Sequence, residues 1–509
     1  MSQLIDTVNK DFQKLVAEFD VPGRSSRILH ETLSRRMGEE GCTFAAGPMP
    51  IYIKPYFIDA ARREEIIRTT ETSVRVMDKV TELYFSDPKT RPWFHLSEAE
   101  AILSEIPHGY PGRVRITRND AFLTDETLRY VEFNADSPGG PMYSDVQGRL
   151  TEETTVFQAL AKLYTIKRDH IMPQVLKTLL DSYKAWGGTK AKPTIVLCGG
   201  KGGTLPEFLA IVAWLKTLGF TSTYCEPKEW SYDGKTLATP DGITPDIIYR
   251  RGWIGDWSFA MNDIQPILRA LRDRKVCMVN PLDSVIASAK SLLALIQEPQ
   301  ITKILNDEEK AFVRNNIPWT RVVKEGKTTD WTGATVDLPE FLRKNRETLV
   351  IKPIDQYGGK DVAVGRAVSE SEWEGWVGKA LAGKFVVQQY VDIPTEDLPV
   401  LDETGQKIVF KSKKINVNFY AYGGVYTGGV VRSSDSYVIN VHKGGGMTPI
   451  MFVYGKKEKT AAGKKKAGAA KKPAKKTAAP KKAAKKPAAK KPAAKKPAAK
   501  KPAAKKGKK

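Results

Sequence analysis

Residues 118–136 read RNDAFLTDETLRYVEFNAD. Val114 to Asp120 alternates polar with apolar positions, and so does Leu128 to Asn134. The turn-prone Thr124-Asp125-Glu126 lies between them. The pattern predicts an antiparallel hairpin. Residues two apart on a strand share a face, so Arg118 and Asp120 point the same way, as do Glu132 and Asn134. Paired, the strands present two carboxylates, an amide and a guanidinium together. Hard oxygen donors beside a fixed cation suit magnesium bound to phosphate. The alternative is a solvated hairpin face with a surface salt bridge.

Toward the N-terminus, residues 3–40 carry helical periodicity through Leu4, Val8, Phe12, Leu15 and Val16. Ile51 to Phe57 reads as a strand and 58–85 as a long amphipathic helix. Beyond the hairpin, 151–187 reads as helical. At Pro193 the pattern changes. Ile195-Val196-Leu197 is a buried-strand run, a glycine-rich turn follows, Leu205 to Leu218 is helical and Thr221 to Cys225 extended. This is a βαβ unit, so an α/β lobe with a partly parallel sheet is expected at about 190–285. Short strands dominate 345–455: Thr348 to Ile351, Val362 to Gly365, Phe385 to Gln389, Ile415 to Tyr422, Val425 to Val431 and Tyr437 to Val441.

Two further constellations lie in that last region. Val350-Ile351-Lys352-Pro353 places a lysine on an apolar strand, which is costly without an anionic partner. The loop Gln356-Tyr357-Gly358-Gly359-Lys360 that follows can bring backbone N–H groups close to phosphates. An edge-strand lysine before an ordinary turn is the competing reading. Val386-Val387-Gln388-Gln389 ends an apolar strand in two amides, which suits either an adenine-sized slot or simple packing of its valine face.

The 509 residues are too many for one core. From Lys456 onward there are 24 lysines and a single acid, Glu458, so this segment accounts for the whole formal charge of +23 and residues 1–455 are neutral. Lys-Lys-Pro-Ala-Ala repeats four times from Lys485. A proline every five residues prevents a continuous helix, and there is almost nothing to bury, so disorder is expected over 456–509. Four scattered cysteines, Cys42, Cys198, Cys225 and Cys277, exclude a disulfide framework and a zinc site and fit a reducing cytoplasm. Met1 to Lys10 lacks a signal pattern. No apolar run approaches the roughly 20 residues needed to cross a bilayer, so no membrane partner is expected.

Taken in order, Arg118-x-Asp120, Glu132-x-Asn134-Ala135-Asp136, an α/β lobe, Lys290 in Ser288-Ala289-Lys290-Ser291-Leu292, Ile351-Lys352-Pro353, Gln388-Gln389 with Pro394, and Arg432-Ser433-Ser434-Asp435-Ser436 resemble the glutathionylspermidine synthetase family. More broadly they resemble the circularly permuted ATP-grasp proteins. The resemblance runs over roughly residues 40–455. It implies an α+β, circularly permuted ATP-grasp fold with an α/β (pre-ATP-grasp-like) lobe. Residues 1–190 would hold the helical region and metal-binding hairpin, 191–285 the substrate-side lobe, and 286–455 the ATP-binding portion.

The resemblance also implies ATP and Mg2+ as cofactors, and ligation of a small-molecule or peptide carboxylate to an amine through an acyl phosphate. Asp120, Glu132 and Asn134 would hold magnesium. Arg118 and Arg432 would stabilise the transferring phosphoryl group. Lys290 and Lys352 would contact the phosphates, the Gly358-Gly359 loop would close over them, and Gln388 and Gln389 would border the adenine. The chain departs from the family where Ser433-Ser434 follow Arg432 in place of Gly-Asp, and it contains no amidase segment. Asn440-Val441-His442-Lys443-Gly444-Gly445-Gly446 is closer to permuted ATP-grasp proteins of uncharacterised activity.

Cys198-Gly199-Gly200-Lys201-Gly202-Gly203-Thr204 has neither Walker A nor dinucleotide spacing and reads as a turn of the lobe. In Tyr249-Arg250-Arg251, one arginine facing a substrate carboxylate and a surface pair are equally compatible. The five histidines, His30, His95, His108, His170 and His442, form no metal spacing and no triad, and read as structural. The tail resembles linker-histone tails and implies non-specific binding of DNA or another polyanion. That gives a cytoplasmic protein the tail could tether to the nucleoid. A catalytically degenerate ATP-grasp body that only binds a ligand is the other functional class.

Overall fold

A computed structural model describes residues 2–20, 25–44, 47–356, 358–439 and 445–458. The expected hairpin is present as Ile116–Leu123 and Leu128–Asn134, with Asp120 opposite Glu132 and Arg118 opposite Asn134. Its back face packs on the helix Arg63–Ser86, which buries Ile66, Thr69, Thr70, Ser73, Met77 and Val80 at helical spacing. Polar groups cross this contact in matched pairs. Asn119 donates to Ser73 at 2.7 Å, and Tyr130 meets both Thr69 and Thr70 at 2.9 Å. Burial there without partners would be costly.

The hairpin is one edge of an eight-stranded sheet. Across it, in order, come Tyr56–Asp59, Gly446–Lys456, Val425–Ser434, Ile408–Tyr422, Ile116–Leu123 and Leu128–Asn134. Thr395–Leu401 pairs with the first half of the long strand, and Tyr164–Lys167 with the last strand. The sheet thus takes strands from both ends of the folded chain. A second, parallel sheet runs Cys277–Val279, Ile247–Arg250, Ile195–Cys198, Ser222–Cys225. This is the expected βαβ lobe, with Leu205–Thr217 as its crossover helix. A third, antiparallel sheet, Thr320–Val322, Phe385–Gln389, Leu349–Pro353 and Ala363–Val364, covers its own core of Trp319, Leu342, Trp373 and Val387.

Several expectations are corrected. The helical run 3–40 is two helices, Gln3–Phe19 and Ser26–Glu39, and Ser26 donates from its backbone N–H and its hydroxyl to the Asp20 carboxylate between them. The strand expected at 51–57 is a single bridge at Ile51 and a strand starting at Tyr56. The helical run 151–187 is interrupted by Tyr164–Lys167, where a β-branched pair reaches the open edge of the last strand. Residues 437–439 are not strand, and 440–441 lie outside the described residues. The strands Thr395–Leu401 and Gly446–Lys456 were not foreseen. The tail from Lys459 onward, and His442 with its neighbours, also lie outside the described residues. All four cysteines are free and buried. Among the described residues no helix is long and apolar enough to cross a membrane.

Candidate active site

The front face of the hairpin opens on a cavity of about 720 Å³ that is also lined by the third sheet, the long strands and the α/β lobe. Every expected site residue lines it: Arg118, Asp120, Glu132, Asn134, Lys290, Lys352, Gly358, Gly359, Gln388, Gln389 and Arg432. Asp120 is buried, which rules out the solvated-face reading.

A ladder irregularity shapes this wall. Asp120 pairs with Glu132 but Ala121 pairs with Tyr130, so Val131 bulges out of register. The bulge turns Val131 and Glu132 to the cavity together. It also frees the Val131 carbonyl, which accepts the Lys352 ammonium at 3.2 Å. Lys352 donates as well to the Gln388 side chain at 2.7 Å, and Gln388 donates in turn to Thr320 at 3.1 Å. The Gln388 amide thereby aims Lys352, and Gln388 lines the cavity together with Gln389, Tyr390 and Val391.

Lys290 pairs with Glu132 at 3.1 Å and also donates to the Gln356 carbonyl, tying the glycine loop to the hairpin. It is brought there by Ser288, whose hydroxyl accepts from the N–H groups of Ala135 at 2.8 Å and Asp136 at 2.7 Å. Asp120 accepts from Arg118 at 3.3 Å, from Asn134 at 3.2 Å and from Arg432. Arg432 Nε is buried without a partner. In the loop, Gly358 and Gly359 have φ of 73° and 70°, and a Cβ on Gly359 would lie 2.4 Å from Val438 Cγ1. Only glycine fits there.

The charges are mutually tuned. Burial drives the Lys352 ammonium down, against the attraction of Glu132, to about 8. Burial alone would raise the Glu132 carboxyl, but Lys290, Lys352 and Arg432 outweigh it and hold it below the ordinary carboxylate range. Such a site is poised to exchange internal ion pairs for an incoming polyanion with its counter-cation. Among the described residues there is no cluster of three His, Cys, Asp or Glu side chains. Two facing carboxylates and an amide nonetheless match magnesium, which takes one or two protein carboxylates and fills its shell with phosphate and water.

Some residues were not foreseen. Asn416, opposite Arg432 in the ladder, and Tyr420, which donates to the Gly139 carbonyl at 2.9 Å, both line the cavity. Polar residues on an otherwise apolar strand were their only signal. Asp136 also lines the cavity but is buried. It pairs with Arg250 at 2.7 Å and receives the Ile254 N–H at 2.8 Å, joining hairpin to lobe. Arg250 and Arg251 are both buried, so they are no surface pair. Arg250 is committed to backbone carbonyls of Asn280, Gly252, Asp136 and Pro281.

No protein-family model and no curated protein matches the sequence. Among solved structures, the chain is similar to a glutathione synthetase-like effector from Globodera pallida, with a TM-score of 0.54 at 9% identity over 87% of this chain and 98% of that one. A protein assigned as a gamma-glutamylcysteine synthetase from Methylobacillus flagellatus is matched over 72% of this chain and 83% of its own (TM-score 0.37, 11% identity). D-alanyl-alanine synthetase A from Vibrio cholerae is matched over 45% and 68% (TM-score 0.24, 13% identity). The first likeness shows a shared fold: the chain is built like that glutathione synthetase-like effector.

Proposed function

We propose that this chain is an ATP-dependent carboxylate–amine ligase working through an acyl phosphate. The observation that carries the reading is the convergence, in one cavity, of the carboxylate pair Asp120 and Glu132 with the cations Arg118, Lys290, Lys352 and Arg432. A substrate carboxylate oxygen attacks the γ-phosphorus of ATP, and the bond to ADP breaks. An amine nitrogen then attacks the acyl carbon, the carbon–oxygen bond to phosphate breaks, and the nitrogen gives up its proton. The first step brings two anions together. Lys290 and Lys352 would bind the phosphates, and Arg118 and Arg432 would stabilise the charge in transit. Asp120, Glu132 and Asn134 would hold Mg2+, which would supply charge neutralisation for the transferring phosphoryl group. Gly358 and Gly359 would cover the phosphates, while Gln388 and Gln389 border the adenine. No protein nucleophile is needed.

The order of elements, carboxylate hairpin first and lysine strands later, supports a circularly permuted arrangement. On this reading 1–190 carries the metal side, 191–285 the substrate side and 286–455 the nucleotide side. Release of ADP from ATP across a panel of carboxylic acids, dependent on an added amine, is the test. Absence of turnover across a broad panel, with ATP still bound, would favour a degenerate ligand-binding body instead.

The lysine-rich segment favours a second, separable activity, non-specific binding of DNA or another polyanion by counterion release. Full-length protein should shift DNA in a gel, less so as salt rises, and a chain ending at Glu458 should not. Equal shifts by both would remove this reading.

A further inference from the structure

We infer that the buried pair Glu207–Arg251, on the α/β lobe, is a positioning device for Arg118, acting through the turn Pro138-Gly139-Gly140. The inference rests on the ligase reading, in which Arg118 faces the transferring phosphoryl group.

Glu207 is wholly buried in the first turn of Leu205–Thr217, and Arg251 follows the strand Ile247–Arg250. Their side chains meet at 2.9 Å. A buried ion pair has to satisfy its remaining donors and acceptors or it is strongly destabilising. Here most of the remaining capacity goes to one turn, while Arg251 Nε has no partner among the described residues. Glu207 Oε1 accepts the N–H of Gly140 at 2.9 Å and of Met142 at 3.2 Å. These are orphan donors at the start of the helix Pro141–Glu152, where a carboxylate is favoured. Arg251 Nη1 donates to the Pro138 carbonyl at 2.8 Å and to Tyr249 at 3.1 Å. Its guanidinium also lies over the rings of Phe208 and Tyr249.

Between those anchors lies the Gly139 carbonyl, in a turn that lines the cavity. Gly139 O accepts from Arg118 Nη1 at 3.2 Å and from Tyr420 at 2.9 Å. Gly140 adopts φ 100°, and a Cβ there would lie 2.6 Å from the Tyr420 hydroxyl, so the turn has no freedom to change residue. Arg118 is thus held at one end by Asp120 and at the other by a carbonyl whose position the lobe dictates. Displacing a phosphoryl-stabilising group by about 1 Å is enough to cost on the order of 100-fold in rate.

Glu207→Gln keeps the shape but sets an amide N–H against either Arg251 or the turn's N–H groups. Arg251→Lys keeps the charge but loses the fork that reaches Glu207 and Pro138 together. Both variants are compared with wild type by amide hydrogen exchange and by steady-state kinetics. Exchange at Gly140 and Met142 should quicken by about tenfold or more, and unchanged exchange in both variants overturns the clamp whatever the activity. The kcat should fall about 10- to 100-fold with KM for ATP nearly unchanged. In an Arg118→Ala background, Glu207→Gln should cause no further loss. Faster exchange with losses that add to those of Arg118→Ala would overturn the link to Arg118. A wild-type protein that turns over no substrate overturns the ligase reading itself, and the catalytic role of the clamp with it.

Discussion

Of the lysine–glutamate pairs among the described residues, Lys54–Glu396 and Lys290–Glu132 sit in opposite conditions. Lys54 and Glu396 are sealed inside the large sheet, and Lys54 also donates to the Asp397 carbonyl at 3.0 Å. Lys290 and Glu132 pair at 3.1 Å on the cavity wall, where the glutamate side chain keeps 26% of its surface open. The first pair has no route to a ligand and can only hold strands together. The second is flanked by Lys352 and Arg432, so its partners can be exchanged without leaving a charge unpaired. Burial shifts both lysine environments in one direction, with Lys54 and Lys352 each drawn below the ordinary lysine value. What separates structure from chemistry is access.

The sharpest way to break this contrast is at the open site. Asp120→Ala and Lys352→Ala should each abolish ATP turnover, a loss of at least about 1,000-fold, while thermal unfolding stays near wild type. Full activity in either variant would remove the assignment. At the sealed site the effect should move entirely to stability. Lys54→Met leaves Glu396 uncompensated and should cost about 3–5 kcal/mol in urea unfolding, and Lys54→Met with Glu396→Leu should recover most of it. Turnover per folded molecule should not change.

Next in size is a pH effect on turnover at the open site. Lys352 carries its charge below about 8 and loses it above. The kcat/KM for ATP should therefore fall as pH rises through that value, and a flat profile to pH 9.5 would contradict the role given to the lysine. The same depression makes the folded chain bind fewer protons than the unfolded one between about 8 and the ordinary lysine value. In that window Lys352 adds stability as pH rises. Smallest should be Gly359→Ala, where a side chain at φ 70° costs about 1–2 kcal/mol, read as a several-fold rise in KM for ATP.

Local pattern carried the hairpin, the shared faces of Arg118 with Asp120 and of Glu132 with Asn134, and the parallel lobe, because alternation and a strand–turn–helix rhythm are written over a few neighbouring residues. The bulge at Val131 was illegible, since a one-residue slip leaves the alternation almost intact. Glu207 and Arg251 carry no mutual signal because only the tertiary fold brings them together. Tyr164–Lys167 did carry one, two β-branched residues ahead of Pro173, but helical residues on both sides masked it. Gly446–Lys456 was hidden by Pro449, which reads as a breaker yet sits opposite Val430 within the ladder.

That final strand has a consequence for how the chain assembles. It lies between Val425–Ser434 and Tyr56–Asp59, and its parallel rungs join Ile450 to Tyr56 and Val453 to Asp59. Closing such a loop engages nearly the whole body at once, and contacts of that span slow folding. During synthesis the edge formed by Tyr56–Asp59 must wait, unpaired and open to wrong partners, until the end of the folded region emerges. A nascent or truncated chain lacking this strand would be a ready client for chaperones.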